Sequence, residues 1–296
     1  MGLQMERIVE EFNFGRDKRF RGDIGQSTLY IIHELDAKQL EASITKLGQL
    51  CPYKNFVTVH FDKIETELAT LVDKANAAVL IMHLSLDNEI NTHRKISNKI
   101  LSYGIFQLNP YNKIAKIFDD KYLFYALMMA NAVSQPKTWL LEKSKRSVRG
   151  DNNDLHRKYI EYLNDLLDIH KYKRYVIKPR CGTENIDCIS VDNLTCTESL
   201  EQIEKIQSYD DCILQEAIEF SSEFKVLYLH GKFYAKNQIN KPLMAQLNDF
   251  LDLLDDYAKT NELIMPEIFS LDVLETMDKG YLFLEANIRP AAIHQF

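Results

Sequence analysis

The stretch YLFLEANIRPA, residues 281–291, joins an apolar run typical of a buried strand to polar residues at its end. Side chains two positions apart on a strand share a face, so Glu285 and Asn287 point the same way. The apolar residues before and between them alternate toward the other face. A core strand has no need of an acid and an amide side by side, so these two side chains are predicted to contact a ligand or solvent.

The residues before this strand predict its partner. EIFSLDVLE, residues 267–275, is a second apolar run, and turn-forming residues at 278–280 join the two runs into a hairpin. With the turn centred there, Asp272 falls roughly opposite Glu285 on one face. Two carboxylates and an amide oxygen are ligands that Mg2+ accepts, leaving its other positions to water and nucleotide phosphates. A solvated polar face on an edge hairpin is the alternative.

Composition and charge exclude several classes of protein. The chain has 296 residues, 46% of them hydrophobic, which is enough for one large or two to three modest units. Its five cysteines form no CxxC pair, which argues against a zinc site or a disulfide framework and fits a reducing cytosol. A net charge of -7 argues against binding to the phosphate backbone of nucleic acid, and no apolar run approaches the length of a membrane span. We expect a cytoplasmic protein that binds neither nucleic acid nor membrane.

The first part of the chain alternates strand-like and helical runs. From residue 28 to 110 the pattern begins TLYIIHEL, AKQLEASITKLGQL, FVTVHF, and it predicts a parallel sheet covered by helices. No glycine-rich turn follows the first strand, so nothing indicates a dinucleotide there. After Asp211 the pattern becomes largely antiparallel. The predicted fold class is therefore α/β followed by α+β.

A helix is predicted over DDKYLFYALMMANA, residues 119–132, and another over residues 155–172. Lys121 lies in the first turn of the earlier helix, where the helix dipole disfavours positive charge unless an anion or a nearby acid such as Asp119 compensates it. Taken alone, Lys121 is explained by the local acid.

Two further segments carry candidate ligand-binding residues. YVIKP ends an apolar strand with Lys178 and leads into a polar loop that contains Gly182, and a point cation in that place suits an anion. ILQEAIEFSSEFKV places a short extended connection before Glu223, so a flat heterocycle could bond to the backbone of residues 216–218 while Glu223 accepted bonds from sugar hydroxyls. Each of these charged residues, taken alone, is more often solvated surface.

Taken in order, these segments resemble the ATP-grasp superfamily from about Asn109 to Ala292. The segment DKYLFYALMMANAVSQPKTW is similar to that family's first lysine segment, and YVIKPRCGTENID to its strand lysine and phosphate loop. ILQEAIEFSSEFKV resembles the adenine hinge and ribose acid, and SLDVLETMDKGYLFLEANIRPA the metal-binding signature. Order, spacing and residue types agree together, which is far more specific than any single motif.

The resemblance implies roles for named residues. Those implied to bind ATP are Lys121, Lys178, Gly182, Gln215, Glu216, Ala217, Ile218 and Glu223. Those implied to hold Mg2+, as two ions with Mn2+ as an alternative, are Asp272, Glu285 and Asn287. The candidate catalytic cations, which would hold a substrate carboxylate or the γ-phosphate, are Arg289, Lys236 and Arg180.

The resemblance also implies domain boundaries and a reaction. Residues 1–110 would form an N-terminal parallel-sheet α/β domain, and residues 111–213 and 214–296 the two α+β subdomains of an ATP-grasp module. Most enzymes with this constellation activate a carboxylate as an acyl phosphate and join it to an amine, releasing ADP and phosphate. The order looks closest to the amino-acid and peptide ligase branch. The substrates would be small-molecule or peptide carboxylates and amines, and a homo-oligomer stays open.

Departures from the family pattern leave two other classes open. The phosphate loop carries only Gly182, and the signature ends in Pro290-Ala291 rather than Pro-Gly. One alternative is a kinase that leaves the phosphoryl group on its acceptor. The other is a nucleotide-binding regulator without turnover, which the glycine-poor loop favours and the intact metal residues oppose.

Overall fold

A computed structural model describes residues 24–51, 53–69, 76–82, 89–142, 174–181, 187–278, 280–290, 293 and 296. The chain divides into two compact units. The first contains the described residues up to Asp119 together with Glu223–Val273 and those from Glu285 onward. The second contains Asp120–Ser222 and Leu274–Leu284. The three-part division at residues 110 and 213 stays a prediction.

The first unit contains a parallel sheet of four strands in the order β2-β1-β3-β4. The strands are β1 (Thr28–His33), β2 (Asn55–His60), β3 (Ala77–Ile81) and β4 (Phe106–Gln107). The helices between them are α1 (Ala37–Leu50), α2 (Ile64–Glu67) and α3 (Glu89–Ser102). Asp36 begins α1 by accepting a hydrogen bond from the Gln39 N–H at 2.9 Å. The parallel α/β sheet predicted from the sequence is confirmed.

Both faces of this sheet are buried, as parallel sheets require. Leu29 and Ile31 pack with Leu47 of α1 on one face. The neighbouring strand residues of opposite orientation pack with α3 on the other face, in a cluster that includes Ile32, Val79, Ile81, Ile96 and Ile100. The first cluster also takes in apolar residues of a second sheet, namely Leu227, Leu229 and Ile268.

That second sheet has the strand order β10-β9-β11-β12. Its strands are β9 (Ser222–Leu229), β10 (Lys232–Ala235), β11 (Ile268–Thr276) and β12 (Gly280–Asn287). β9 and β10 pair antiparallel around a turn at His230 and Gly231, both with positive φ. At the start of the predicted hairpin between β11 and β12, the Thr276 hydroxyl donates to the Gly280 carbonyl at 3.0 Å. The order places the predicted metal-binding strands side by side.

The third sheet lies in the second unit and has the order β5-β8-β6-β7. Its strands are β5 (Thr138–Leu141), β6 (Tyr175–Pro179), β7 (Ile189–Val191) and β8 (Cys212–Glu216), and their pairs are antiparallel. One face packs on Leu200, Ile203 and Ile206, which lie on the helix between β7 and β8. With this sheet, the expected combination of α/β and α+β architecture is confirmed.

The helix predicted over residues 119–132 is present with shorter bounds, and a further helix precedes it. The chain forms one helix at Lys113–Asp119 and another at Lys121–Ala130, named α4 and α5. They are separated by Asp120, which has extended backbone angles (φ -118°, ψ 101°). Its carboxylate accepts hydrogen bonds from the N–H groups of Tyr122 and Leu123, so it is the N-cap of α5. The two remaining α-helices in the described residues are α6 (Thr197–Gln207) and α7 (Lys241–Thr260).

The predicted helix at residues 155–172 lies outside the described residues, and so does Gly182. Among the helices that the structure does describe, none combines the length and hydrophobicity needed to cross a bilayer.

Candidate functional site

The predicted metal residues lie on adjacent strands of the first unit's second sheet. Asp272 lies on β11, and Glu285 and Asn287 lie on β12, two positions apart and so on one face. Asp272 is half-buried, with 14% of its side chain exposed. Its closest described cation is Lys225 on β9, with Nζ 3.6 Å from Oδ1. The carboxylates predicted to meet are therefore close, with one ammonium beside them.

Burial raises the pKa of Asp272 to about 6. Repulsion from the Glu285 carboxylate adds to this, and Glu223 contributes a smaller rise, whereas Lys225 opposes both. The charges of Glu285 and Glu223 thus act directly on Asp272. Glu223, predicted from the family pattern to bind ribose, therefore also belongs to the surroundings of the carboxylate pair.

The donor set suits a divalent cation. In the described part of the chain no three His, Cys, Asp or Glu side chains form a metal-binding group by themselves. The predicted set instead combines two carboxylates with the amide oxygen of Asn287. Mg2+ accepts one or two carboxylates and completes its shell with water and phosphate oxygens. Two repelling, partly desolvated carboxylates are the kind of pair that such a cation would neutralise.

The second unit carries the predicted phosphate lysines. Lys178 is buried near the end of β6, and Lys121 is the first residue of α5. The Lys121 N–H donates to the carbonyl of Arg180 at 3.1 Å, so the two segments meet although they are far apart in sequence. The macrodipole argument for Lys121 required a nearby acid, and the acid at the helix start is Asp120, the N-cap. Asp119 instead bonds to an arginine of the first unit.

Arg180 holds this junction. Its Nε lies 3.0 and 2.9 Å from the two oxygens of Asp120, and its Nη2 lies 2.8 Å from Oδ2. Its Nη1 donates to Asp211 Oδ2 at 2.9 Å. The hydrogen bonds that Arg180 donates to Asp120 are the largest cause that raises the pKa of Arg180 above its ordinary value. The described side-chain hydrogen bonds of Arg180 are thus made to Asp120 and Asp211. Its contact with a substrate stays a prediction.

The predicted adenine hinge follows β8. The Glu216 N–H donates to the Lys137 carbonyl at 2.8 Å, and the Ala217 N–H donates to the Arg174 carbonyl at 3.1 Å. No acceptor for the Ile218 N–H is found among the residues that the structure describes. Of the three hinge amides, the one at Ile218 is therefore available to a base, and the adenine role of this segment stays a prediction.

Arg289 is buried in the first unit. It binds Asp119 with two hydrogen bonds, and its Nη1 lies 2.9 Å from Nδ1 of His93 on α3. The Nε2 of His93 lies 2.8 Å from the Asn109 carbonyl, which can only accept, so Nε2 carries the proton and Nδ1 accepts from Arg289. Burial first, and then the Arg289 charge, lower the pKa of His93 to about 3.

Among the other candidates, Lys236 is exposed directly after β10. No described bond tests the predicted contacts of Lys236 and Arg289 with a substrate, so both roles stay predictions.

The fold and the site can be set against known proteins. No protein-family model matches the chain, and no curated protein matches it. The solved structure of D-cycloserine synthetase DcsG has a TM-score of 0.61 at 13% identity, over 91% of this chain and 97% of that one. D-alanine-D-alanine ligase from Helicobacter pylori gives 0.60 at 13%, over 90% and 92%. The ATP complex of D-alanine-D-alanine ligase from Bacillus anthracis gives 0.57 at 15%, over 90% and 86%.

The chain has the ATP-grasp fold. The ATP-grasp resemblance read from the motifs is confirmed at the level of fold. Identities of 11–15% to the solved structures show the fold and nothing more, so the activity of this chain is argued from its own residues.

Several residues around the candidate site were not anticipated from the sequence. The N-cap at Asp120 had a readable signal, because an aspartate directly before an apolar helical run is a common helix start. Asp211 and His93 had none, because their partners depend on how distant segments meet.

Proposed function

We propose that the chain is an ATP-dependent ligase that activates a carboxylate as an acyl phosphate and joins it to an amine, releasing ADP and phosphate. The observation that carries the proposal is the close pair of Asp272 and Glu285 on adjacent strands of an ATP-grasp fold. Such a pair is costly to keep unless it binds a cation, because two nearby carboxylates oppose each other's ionisation.

Different residues are proposed to bind the phosphates, the adenine and the ribose of the nucleotide. Lys121 and Lys178, with the loop that carries Gly182, are proposed to contact the phosphates as fixed positive charges. The Ile218 N–H and the carbonyls of Glu216 and neighbouring residues would bind adenine, and Glu223 would accept from the ribose hydroxyls. Support comes from the hydrogen bond between Lys121 and the Arg180 carbonyl, which keeps both lysine segments together.

Asp272, Glu285 and Asn287 would hold Mg2+. When bound, Mg2+ would supply positive charge to the phosphate oxygens during transfer. Lys225, now paired with Asp272 at 3.6 Å, already offsets part of the carboxylate charge. Arg180 and its acids would keep the lysine-bearing segments in register, which makes Arg180 a positioning residue in this scheme.

The reaction follows in two displacements. A substrate carboxylate oxygen attacks the γ-phosphorus, the bond to the β-phosphate oxygen breaks, and ADP leaves. An uncharged amine then attacks the acyl carbon, phosphate leaves with the former carboxylate oxygen, and the nitrogen loses a proton to become an amide. The chain contributes chiefly by orienting the reactants and by excluding water, which would otherwise hydrolyse the acyl phosphate.

The substrates are proposed to be small-molecule or peptide carboxylates and amines. Two of the similar structures are enzymes named for joining D-alanine to D-alanine, and another is named for making D-cycloserine. An amino-acid-like substrate is therefore the first class to try. Lys236 and Arg289 are the candidate cations for its carboxylate, and a cytoplasmic location fits the reduced cysteines.

The test compares Glu285→Gln with Glu275→Gln. Both residues lie in the same hairpin, but Glu275 accepts a hydrogen bond from the Tyr281 hydroxyl at 2.9 Å, a bond that a glutamine can keep. Each variant and the wild type receive Mg-ATP and a deproteinised metabolite pool, and ADP, free phosphate and product masses are followed. We expect the wild type and Glu275→Gln to release ADP and free phosphate and to form a condensation product. In Glu285→Gln the rate of ADP release should fall by about 100-fold or more.

Other outcomes would redirect the proposal. ADP with a phosphorylated acceptor and no free phosphate would identify a kinase. Tight Mg-ATP binding without consumption of ATP in the presence of any acceptor would identify a regulator. Equal activity of both variants would show that Glu285 is not part of the metal site.

A further inference from the structure

Two histidines lie side by side at the ends of parallel strands in the first unit. His33 and His60 are the last residues of β1 and β2, and they pair directly in the strand register. Leu29 and Ile31 point toward α1, and His33 continues that alternation, so both imidazoles lie on this face of the sheet. Their ring centres are 6.3 Å apart and the rings are nearly perpendicular.

The ring of His33 has a buried nitrogen without a partner. His33 is 9% exposed, and its Nδ1 makes no hydrogen bond in the part of the chain that the structure describes. Burial first, and then the nearby His60 ring, lower the pKa of His33 below its ordinary value, while the Leu35 backbone opposes them. A buried, neutral imidazole with an unsatisfied nitrogen is costly, and a ligand that binds this nitrogen would be favoured.

The other two described histidines, His93 and His230, have both ring nitrogens occupied. Those of His93 face a guanidinium and a backbone carbonyl. Those of His230 lie 2.8 Å from the Tyr53 hydroxyl and 3.3 Å from a Glu267 oxygen. Such bonds hold a ring in place and account for its polar atoms, so neither ring points to a ligand.

Asp62 lies behind the second imidazole of the pair. Its Oδ2 is 3.4 Å from Nδ1 of His60, and both side chains are exposed. A carboxylate on one side of an imidazole favours the proton on the near nitrogen and makes the far nitrogen a better metal ligand. Because the His60 ring is exposed, it can adjust toward His33, which is held in the sheet.

The spacing of the two rings suits one ion between them. Zn2+ binds imidazole nitrogen at about 2.0–2.1 Å, so one ion spans two nitrogens up to about 4 Å apart. Rings with centres 6.3 Å apart reach that separation when a nitrogen of each faces the other. Water would complete the coordination, in keeping with the absence of a three-residue metal group among the described residues. An amine or hydroxyl ligand could also bond to Nδ1 of His33, but it would not need the second imidazole.

We propose that His33 and His60 form a binding site for a divalent cation of the Zn2+, Ni2+ or Cu2+ class, with Asp62 as the residue that positions His60. Imidazole nitrogen selects this class of ion, whereas the carboxylate and amide oxygens of the predicted magnesium site suit a harder one. The inference does not depend on the proposed function.

The test follows the ring nitrogens of the full chain by NMR while Zn2+ is added. The chemical shift of an imidazole nitrogen changes when its lone pair binds a metal ion, so each histidine reports on itself. We expect the Nδ1 signal of His33 to move and to reach saturation, and the signals of His93 and His230 to stay in place. This measurement uses the unchanged protein, so a failure to fold cannot imitate the result.

Matched substitutions test the two partners of His33. His60→Gln removes the second ligand, and Asp62→Asn removes the carboxylate behind it, while both leave the buried His33 in place. Loss of a residue that supports a metal ligand costs about 10–100-fold in affinity, so the Zn2+ concentration that half-saturates the His33 signal should rise at least about tenfold in each variant. The control is His230→Gln, which removes a histidine with both nitrogens bonded and should leave that concentration unchanged.

Two results would overturn the inference. A His33 signal that stays in place in excess Zn2+ would exclude the ion and leave a hydrogen-bond donor as the ligand of Nδ1, even if the cysteines bound Zn2+ elsewhere. Equal half-saturation in His60→Gln and the wild type would show that the two imidazoles do not share an ion. Neither result bears on ATP consumption, which is measured separately, so the proposed function would stand or fall by its own test.

Discussion

Arg289 binds Asp119 through two parallel hydrogen bonds, Nη2 to Oδ1 at 2.7 Å and Nη1 to Oδ2 at 3.1 Å, and both side chains are buried. A bidentate pair of this kind fixes geometry as well as charge. Arg289 follows the predicted metal ligand Asn287 by two residues. The pair therefore anchors the chain where it leaves β12.

Removing one member of this pair is expected to be costly. Arg289→Met leaves the Asp119 carboxylate buried without its partner and should lower the free energy of unfolding by about 3–5 kcal/mol. Chemical denaturation measures it. The control is Arg174→Met, which breaks the exposed pair of Arg174 and Asp192 and should leave stability unchanged within error. Similar losses in both variants would contradict the assignment of Arg289 as an anchor.

His93 should stay neutral in the folded protein at every pH above about 3. Its ordinary pKa is 6.5, and burial together with Arg289 lowers the folded-state value to about 3. The unfolded chain therefore takes up the proton first, and stability is lost as the pH falls through 6.5 toward 3. The groups on the ring are Arg289, the Asn109 carbonyl and the edge of Tyr111.

The magnitude can be measured by denaturation at several pH values. Between pH 7.5 and 5 the wild type should lose about 2 kcal/mol more than His93→Gln, from roughly 1.5 pH units at about 1.36 kcal/mol each. Nitrogen chemical shifts from NMR should show the Nε2–H tautomer throughout this range. A protonated ring at pH 5 would refute the prediction.

Metal binding should depend on Asp272. Burial and then Glu285 raise its pKa to about 6, so a cation has to displace a proton below that pH. Mg2+ affinity, measured by calorimetry in the presence of ADP, should therefore increase as the pH rises through 6 and level off above it. Asp272→Asn should abolish the pH-dependent part.

The same shift has a consequence without metal. Because the folded state holds the Asp272 proton more tightly than the unfolded chain, stability is greatest below about pH 4 for this group and is lost as pH rises through 6. Asp272→Asn should thus stabilise the metal-free protein at pH 7.5 by about 2–3 kcal/mol. Asp256→Asn, on an exposed part of α7, is the control and should change little. Destabilisation by Asp272→Asn would contradict this reading.

Arg180 and Asp120 should act as one unit. Arg180→Met and Asp120→Ala are each expected to cost about 1.5–3 kcal/mol, because each leaves a charged, partly buried partner without its hydrogen bonds. The double variant should cost clearly less than the sum of the two. Additive losses would show that the two side chains stabilise the protein independently.

Gln135 offers a stabilising substitution. Both polar atoms of its amide are buried, and neither has a hydrogen-bond partner in the described structure. Gln135→Met keeps the length and removes the unsatisfied groups, so the free energy of unfolding should rise by about 1–2 kcal/mol. A thermal melt measures the change. Gln238→Met, at an exposed position, is the control.

Local patterns predicted the secondary structure well where one face was apolar. The 14-residue helix α1 begins and ends at the predicted residues, because Asp36 caps an amphipathic run. The helix predicted over residues 119–132 is shorter at both ends, at Lys121–Ala130, and its start has a local cause too. Asp120 has extended backbone angles and caps the helix with its side chain, so the helix begins at Lys121 and not at Asp119.

The site was only partly predictable. Strand alternation placed Glu285 and Asn287 on one face, and the short hairpin turn brought Asp272 near them. The partners of Arg180 and Arg289 could not be derived, since each depends on contacts between distant segments. The hydrogen bond from Gln215 to Thr138 depends on strand register, which the sequence spacing between β5 and β8 does not fix.

Asp119 and Asp120 follow one another, yet each is bonded to a different arginine in a different unit. One ends α4 and the other caps α5. Two adjacent residues of the same type thus have different structural roles. Deleting either acid would not be rescued by the other, because the survivor keeps its own partner, although a comparison of compositions would treat the pair as redundant.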